Sequence, residues 1–405
     1  MDTKRSQQIG AFGFVALAFA SGLSGIEMGP DDGLSLVASA QTLVMERDFG
    51  QGVEGSSASA SLTLDLQWDA TERLQFDGQF VQVNQLYQRG RSDAAYWLSN
   101  DDMSLLNGVS LAYDFSHSVN TVSVIKLGRL ADSYDFFPAY KVRHKAQAFE
   151  GVVWKGKLAN GVAVDAGHIE RFSSWSCREG GPSAVTSDFL TMSDRFGRGT
   201  SDSGVQFVSS SYQSGKYSLT GYDYYADDFY NNVGFKCSRT FESGDGKGVW
   251  SVQFHYDRQD GVSDTWMPDH EADCMELGFG YKQGGLSWDA GWTRIGSSGS
   301  LLVPFRTSHA VDATLLWYTN QFEADTSSFH WKGTFKKGPW VFYSMLLQAD
   351  HVDRSEREMD VVVKYSFENR FWLAFKGGYG ERYFDAAGRD DQWARDLRLF
   401  SGISF

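Results

Sequence analysis

The chain has 405 residues and a net charge of −14, from 37 Lys+Arg against 51 Asp+Glu. That acidic balance excludes a nucleic-acid binder, which needs a basic footprint over phosphates. An apolar fraction of 42% with 15% aromatics excludes a disordered chain, yet mean hydropathy is only −0.35, so the aromatics stand singly among polar residues.

Residues 1–25 read as a cleaved secretory signal peptide. Lys4 and Arg5 precede the apolar run Ile9 to Ala20, and small residues follow from Ser21 to Gly25. The run is shorter than the roughly 20 residues a bilayer span needs. Ala18 and Ala20 favour an early cut, while Ala38-Ser39-Ala40 offers a second. Residues 26–35 form a short N-terminal segment and 36–405 one domain, in which no stretch reaches the length of a transmembrane helix.

The dominant period in that domain is two. Ala58, Ala60, Leu62, Leu64, Leu66 and Trp68 alternate with Ser59, Ser61, Thr63, Asp65 and Gln67; Val361, Val363, Tyr365 and Phe367 alternate with Asp360, Lys364 and Ser366. Such segments are strands with one apolar and one polar face. The spacing predicts strands near 36–48, 57–69, 74–87, 108–118, 121–132, 147–157, 162–174, 203–213, 216–227, 233–242, 248–259, 273–282, 286–296, 328–336, 340–350, 359–367, 371–383 and 394–405. A phase shift around Phe80 to Val83 predicts a bulge. The stretch 311–323 is placed in a long ordered loop, because termini on one side of a barrel require an even strand number.

Connections are expected to alternate between tight turns, such as Ala159-Asn160-Gly161, Gln213-Ser214-Gly215, Gln283-Gly284-Gly285 and Lys337-Gly338, and long loops at 88–107, 133–146, 175–202, 260–272, 297–327 and 384–393. Gly, Asn and Asp supply the positive φ of short hairpins. Aromatics gather at strand ends (Trp68, Tyr87, Trp154, Trp175, Tyr224-Tyr225, Trp340, Phe371-Trp372, Tyr383-Phe384), as in interfacial girdles. Together these features define an all-β fold: a transmembrane antiparallel β-barrel of about 18 strands (16 the alternative), with short periplasmic turns and long extracellular loops. The C-terminal strand ending at Phe405 fits recognition by the barrel assembly machinery, and the expected location is the outer membrane of a Gram-negative cell.

Five short motifs sharpen this. Leu127-Gly128-Arg129 precedes a loop running to Gln147-Ala148-Phe149-Glu150-Gly151-Val152; Arg47-Asp48-Phe49 ends the first strand; Gly167-His168-Ile169 follows the Phe-Glu-Gly segment; and Leu316-Trp317-Tyr318 lies in a long late loop. In these the sequence resembles the OprD-type family of outer-membrane porins across most of 36–405. It departs at the end, where Gly402-Ile403-Ser404-Phe405 replaces a more aliphatic terminus. The resemblance implies an 18-stranded, substrate-selective channel, monomeric or loosely trimeric, passing small anionic or zwitterionic nutrients, amino acids among them; no cofactor is expected, and the cysteine spacing at 177, 237 and 274 matches no metal motif.

In such a channel selectivity depends on what narrows the lumen. The third long loop is the expected constriction, with basic Lys141, Arg143, His144 and Lys145 set against acidic Asp132, Asp135 and Glu150. Arg171 shares the parity of Asp165, which points it at the lumen; Arg129 is assigned there by the family resemblance. Opposed charges would orient dipolar solutes, and a basic excess would attract carboxylates. Acidic residues crowding the long loops (Asp93, Asp101, Asp102, Asp227, Asp228, Asp269, Glu271, Asp273, Asp390, Asp391) fit cation-bridged lipopolysaccharide or simple solvation. Cys177, Cys237 and Cys274 fall on the long-loop side. A disulfide from Cys237 to Cys177 or Cys274 suits that placement, and three free thiols is the alternative.

Two other classes compete. An outer-membrane hydrolase needs a Ser–His pair with an orienting partner; the eight His residues are scattered and no Gly-x-Ser-x-Gly elbow occurs, so no enzymatic activity is expected. A non-conducting anchor or adhesin would have its lumen blocked by loops.

Overall fold

The computed structural model describes residues 33–405 except 51–52, 91–101, 117–120, 140, 142, 159, 175–187, 197–202, 263–267, 304–308, 310–315, 317–319, 369 and 386–388. The signal peptide, most of segment 26–35, Cys177, Trp175, Trp317 and Tyr318 therefore lie outside the described residues.

Eighteen strands follow in order: β1 (Leu34–Asp48), β2 (Glu54–Asp69), β3 (Leu74–Gly90), β4 (Met103–Asp114), β5 (Val122–Leu130), β6 (Ala148–Lys157), β7 (Val162–Ser173), β8 (Val205–Ser214) and β9 (Tyr217–Ala226). The second half comprises β10 (Tyr230–Glu242), β11 (Val249–Gly261), β12 (Glu271–Gln283), β13 (Leu286–Ile295), β14 (Ser327–Lys337), β15 (Trp340–Asp350), β16 (Arg354–Ser366), β17 (Phe371–Phe384) and β18 (Gln392–Ser404). Each strand pairs antiparallel with its sequence neighbours, and β1 pairs with both β2 and β18, so the sheet closes without an edge. All the expected strands are present. The described part of the 311–323 stretch adds none, holding a 3-10 turn at Asn320–Phe322. Among the described residues one short helix, α1 (Met192–Phe196), sits between β7 and β8, with Thr191 and Asp194 capping each other's backbone N–H groups.

Alternation sorts the two faces. On β10, Asn232 is fully buried while Val233 and Phe235 are exposed. On β2, Ser57, Ser59, Ser61 and Thr63 are buried while Leu66 and Trp68 are exposed. The apolar residues therefore cover the outside and the polar residues line the inside, the reverse of a soluble sandwich. Near the short-turn end, Trp68 stacks on Phe76 at 5.4 Å, Trp250 packs on Tyr281 at 4.6 Å and Trp340 on Tyr365 at 4.6 Å, an outer aromatic belt. Two expected girdle members turn inward instead. Tyr224 is buried in an internal aromatic cluster, and Trp372 packs inside the barrel against Phe400 and its neighbours.

The tight turns all lie at one end, as expected. The other end does not carry long loops throughout: 49–53, 227–229 and 351–353 are short, so the alternation of tight and long connections is incomplete. The core sits inside the barrel rather than between layers. Loop 131–147 packs Tyr134, Phe136 and Phe137 on Phe149, Phe172, Phe207 and Tyr224 of the inner wall. Loop 296–326 packs Leu301 and Phe322 on Ala272, Cys274, Ile295 and Leu347.

Candidate functional site

Loop 131–147 enters the lumen because its Phe136-Phe137 pair is apolar and the inner wall offers an apolar patch. Both rings are 0% exposed, and Phe137 lies 5.3 Å from Phe172 and 5.1 Å from Tyr224 between ring centres. Polar ties fix the ends of the loop. Asp132 bridges Lys126 at 3.3 Å and Lys155 at 3.5 Å, and Asp135 accepts from Ser209 Oγ at 2.5 Å and pairs with Lys236 at 3.2 Å. Both carboxylates thus face the lumen as expected, and both hold the loop to the wall. Burial pushes the Tyr134 phenol well above its usual range.

The basic run of the same loop divides. Lys141 is exposed, and a bridge to Ala146 holds its backbone. Although its side chain reaches solvent, the protein packed around the loop desolvates it enough to lower its pKa, and the nearby Asp65 carboxylate opposes that shift. The other three are packed against the wall rather than lining open lumen. Arg143 is buried, its carbonyl accepting from Gln41 Nε2 at 3.3 Å. His144 is wedged between Ser59 Oγ (2.7 Å to Nε2) and Ser61 Oγ (2.8 Å to Nδ1). A neutral imidazole has one donor and one acceptor nitrogen for two such hydroxyls, and burial, with Lys141 and Arg143 nearby, lowers its pKa to about 3. Lys145 donates to Asn107 Oδ1 at 3.0 Å, the Ala146 carbonyl at 3.1 Å and Ser173 Oγ at 2.8 Å. His144 and Lys145 are therefore anchors, because wall serines and Asn107 supply their partners.

Three expected constriction residues belong to the opposite face. Arg129 pairs across the sheet with Val109, an exposed outer residue, and with Glu150 on its other side; Glu150 pairs in turn with Arg171. A register shift at Glu150/Gly151, where Glu170 is the extra residue, flips the parity of β7. Ile169 and Phe172 point inward, so Arg171 points outward, against the expectation drawn from its parity with Asp165. Arg129, Glu150 and Arg171 form a charged row on the outer face at the loop end, with Arg129 3.9 Å from Glu150. The motif glycines permit this geometry. A Cβ on Gly128 (φ 117°) would strike the Val109 carbonyl oxygen, and one on Gly151 the His168 carbonyl oxygen.

Across the lumen is a charged strip that sequence reading missed. Arg47 and Arg398 clasp Asp396, with Arg398 Nε donating to Asp396 Oδ1 at 2.7 Å. Lys376 lies 4.9 Å from the Phe400 ring, and Glu356 receives Arg382 at 2.7 Å and Arg354 at 2.9 Å. The signal was present: these residues hold the polar parity of β1, β16, β17 and β18. Register alone brings them together.

Cys237 and Cys274 are both free. A bond between them is ruled out by placement: Cys237 shares the outward parity of Val233 and Phe235, Cys274 is buried inside, and β11 separates their strands. The alternative pairing to Cys177 falls outside the described residues.

The sequence matches no protein-family model and no curated protein. Its fold has clear counterparts. Pseudomonas aeruginosa OccK9 (OpdG) superposes with a TM-score of 0.75 at 15% identity over 93% of this chain and 100% of that one. From the same organism, OccK2 (OpdF) in complex with glucuronate gives 0.72 at 15% over 92% and 96%, and the outer membrane protein opdK gives 0.71 at 12% over 92% and 99%. These neighbours are OprD-family porins, the family that the Leu-Gly-Arg and Phe-Glu-Gly motifs resemble. At such identities the likeness establishes the shared closed barrel.

Proposed function

We propose that the chain is an outer-membrane porin of the OprD type, through which small hydrophilic solutes diffuse passively and those bearing a carboxylate are preferred. The observation that carries this reading is the closed 18-stranded barrel whose polar interior is narrowed, not filled with a continuous core, by loops 131–147 and 296–326. An eighteen-stranded barrel is wide enough for an aqueous channel. The preference for carboxylates rests on Lys141 as the open cation of the constriction loop, with Lys126, Lys155 and Lys236 along the wall beneath it. That one neighbour was solved with glucuronate, a sugar carboxylate, supports the same solute class.

Export through the signal at 1–25, folding of 36–405 as one barrel, contact with lipopolysaccharide, insertion by the assembly machinery and a monomeric or loosely trimeric state complete the proposal. The same loops that narrow the lumen would serve an anchor if they closed it. Liposome swelling separates the two: faster entry of glucuronate than of an uncharged sugar of equal size supports the porin reading, and no entry of either favours the anchor.

A further inference from the structure

Loop 296–326 meets the inner wall through a buried histidine, His309, which lies over β11 and β12. His309, His255 and Asp257 of β11, and Cys274 and Glu276 of β12 are all under 6% exposed. Neutral contacts flank this group. Gln259 Nε2 donates to the Leu302 carbonyl at 2.9 Å and Gln259 Oε1 accepts from Leu302 N at 2.8 Å, while Leu301 and Phe322 pack against Ala272, Ile295 and Leu347. Those contacts carry no titrating group, whereas His309 does.

Both nitrogens of the His309 ring face carboxylates. Nε2 lies 2.7 Å from Asp257 Oδ2, and Nδ1 lies 3.5 Å from Glu276 Oε2. Asp257 accepts throughout: its Oδ1 takes Tyr222 Oη at 2.8 Å and Asn232 Nδ2 at 2.9 Å, and its Oδ2 also lies 2.9 Å from His255 Nε2. Four donors leave that carboxylate no room for a proton of its own, so His309 Nε2 donates to it. A proton on Nδ1 as well gives Glu276 its counter-charge, and the ring is then an imidazolium between two acids. The remaining neighbours fit that charge. Cys274 Sγ lies 3.8 Å from Nδ1 as an acceptor, and the His255 ring stacks on His309 at 3.9 Å with its own Nε2 on Asp257. Beyond them, on β9 and β10, are Tyr222 and Lys236, whose Nζ stands 5.2 Å from the Tyr222 ring. Burial disfavours the charge on His309, but Cys274, Asp257 and Glu276 outweigh it and hold the pKa well above the ordinary 6.5.

We propose that His309 is a proton-dependent latch: as an imidazolium it ties loop 296–326 to Asp257 and Glu276, and on losing its proton it lets the loop lift from the wall and widen the lumen. A released loop carries an ordinary imidazole that sheds its proton near pH 6.5, while the docked ring keeps its proton to higher pH. Docking is therefore fully favoured below pH 6.5 and weakens by up to about tenfold per pH unit above it, until the docked ring too is deprotonated. Loop 131–147 responds the other way, because His144 docks as a neutral ring between two hydroxyls.

Cys274 reports the latch, since it is 0% exposed beneath the docked loop. The full chain carrying Cys177→Ser and Cys237→Ser, folded in detergent, is labelled with iodoacetamide from acid to alkaline pH. Each rate is divided by that of the urea-unfolded chain at the same pH. The ratio should rise by up to about tenfold per pH unit above 6.5 and then level off. Glu276→Gln takes one acid from the ring and should bring the plateau to a lower pH. His309→Gln should label faster at pH 6.5 and show no rise. Heat-modifiable electrophoretic mobility confirms that each variant is folded. A flat wild-type ratio overturns the proposal, as does a rise that survives in folded His309→Gln or a plateau that Glu276→Gln leaves in place. No transport is measured, so the latch can fail while the channel reading stands.

Discussion

Phe137→Ala removes the ring on which loop 131–147 is seated. The side chain is 0% exposed and touches the wall through Phe149, Phe172 and Tyr224, at ring-centre distances of 6.2, 5.3 and 5.1 Å. Truncating a buried Phe to Ala costs about 3–5 kcal/mol. The strands close through their own backbone ladder, so the cost falls on docking of the loop rather than on the barrel. At about 1.4 kcal/mol per factor of ten, the docked-to-undocked ratio should drop by about two to nearly four decades. Asp132, Asp135, His144 and Lys145 still hold the loop, so the expected result is intermittent release. Single-channel recording should show added transitions to a larger conductance, with unchanged heat-modifiable mobility. Wild-type conductance and noise in a folded Phe137→Ala barrel would refute the claim that this aromatic cluster holds the constriction.

Lys141→Glu reverses the open charge of the loop. At about 1 kcal/mol per unit charge at about 4 Å in water-like surroundings, anion and cation energies each move by about 2 kcal/mol in opposite directions, so the anion-to-cation permeability ratio should fall by up to about three decades, read as a shift of reversal potential toward cation selectivity. Lys145→Met leaves Asn107 Oδ1 and Ser173 Oγ without their buried donor. It should weaken loop docking by about 1–3 kcal/mol, seen as faster proteolysis within the loop while the barrel stays intact. His144 is held neutral: its pKa falls from 6.5 to about 3 on docking. The undocked imidazole therefore binds a proton more readily, docking is fully favoured above pH 6.5, and it weakens by up to about tenfold per pH unit down to about pH 3. Conductance noise that rises with acid in wild type and stays flat in His144→Gln is the expected outcome.

The barrel was legible because alternation is local: a strand such as 57–69 declares both faces in its own residues, and closure follows from their number. The bulge near Phe80 was legible for the same reason, as a break in phase, and it lies between Gln79 and Phe80. The constriction was legible only as a segment. Which charges of 131–147 reach open lumen depends on the wall opposite, where Ser59, Ser61, Asn107 and Ser173 claim His144 and Lys145. Arg171 was misplaced because one extra residue at Glu170 reverses every later side chain of β7. The Arg47–Asp396–Arg398 group shows in the sequence only as the polar parity of its strands; register is what brings it together.

The central claim, an open but narrowed aqueous channel, is tested most directly by planar-bilayer recording of the refolded protein, with reversal potentials in asymmetric salt. The account predicts discrete small openings with anion preference that depends on Lys141. A correctly folded barrel that conducts nothing would contradict it.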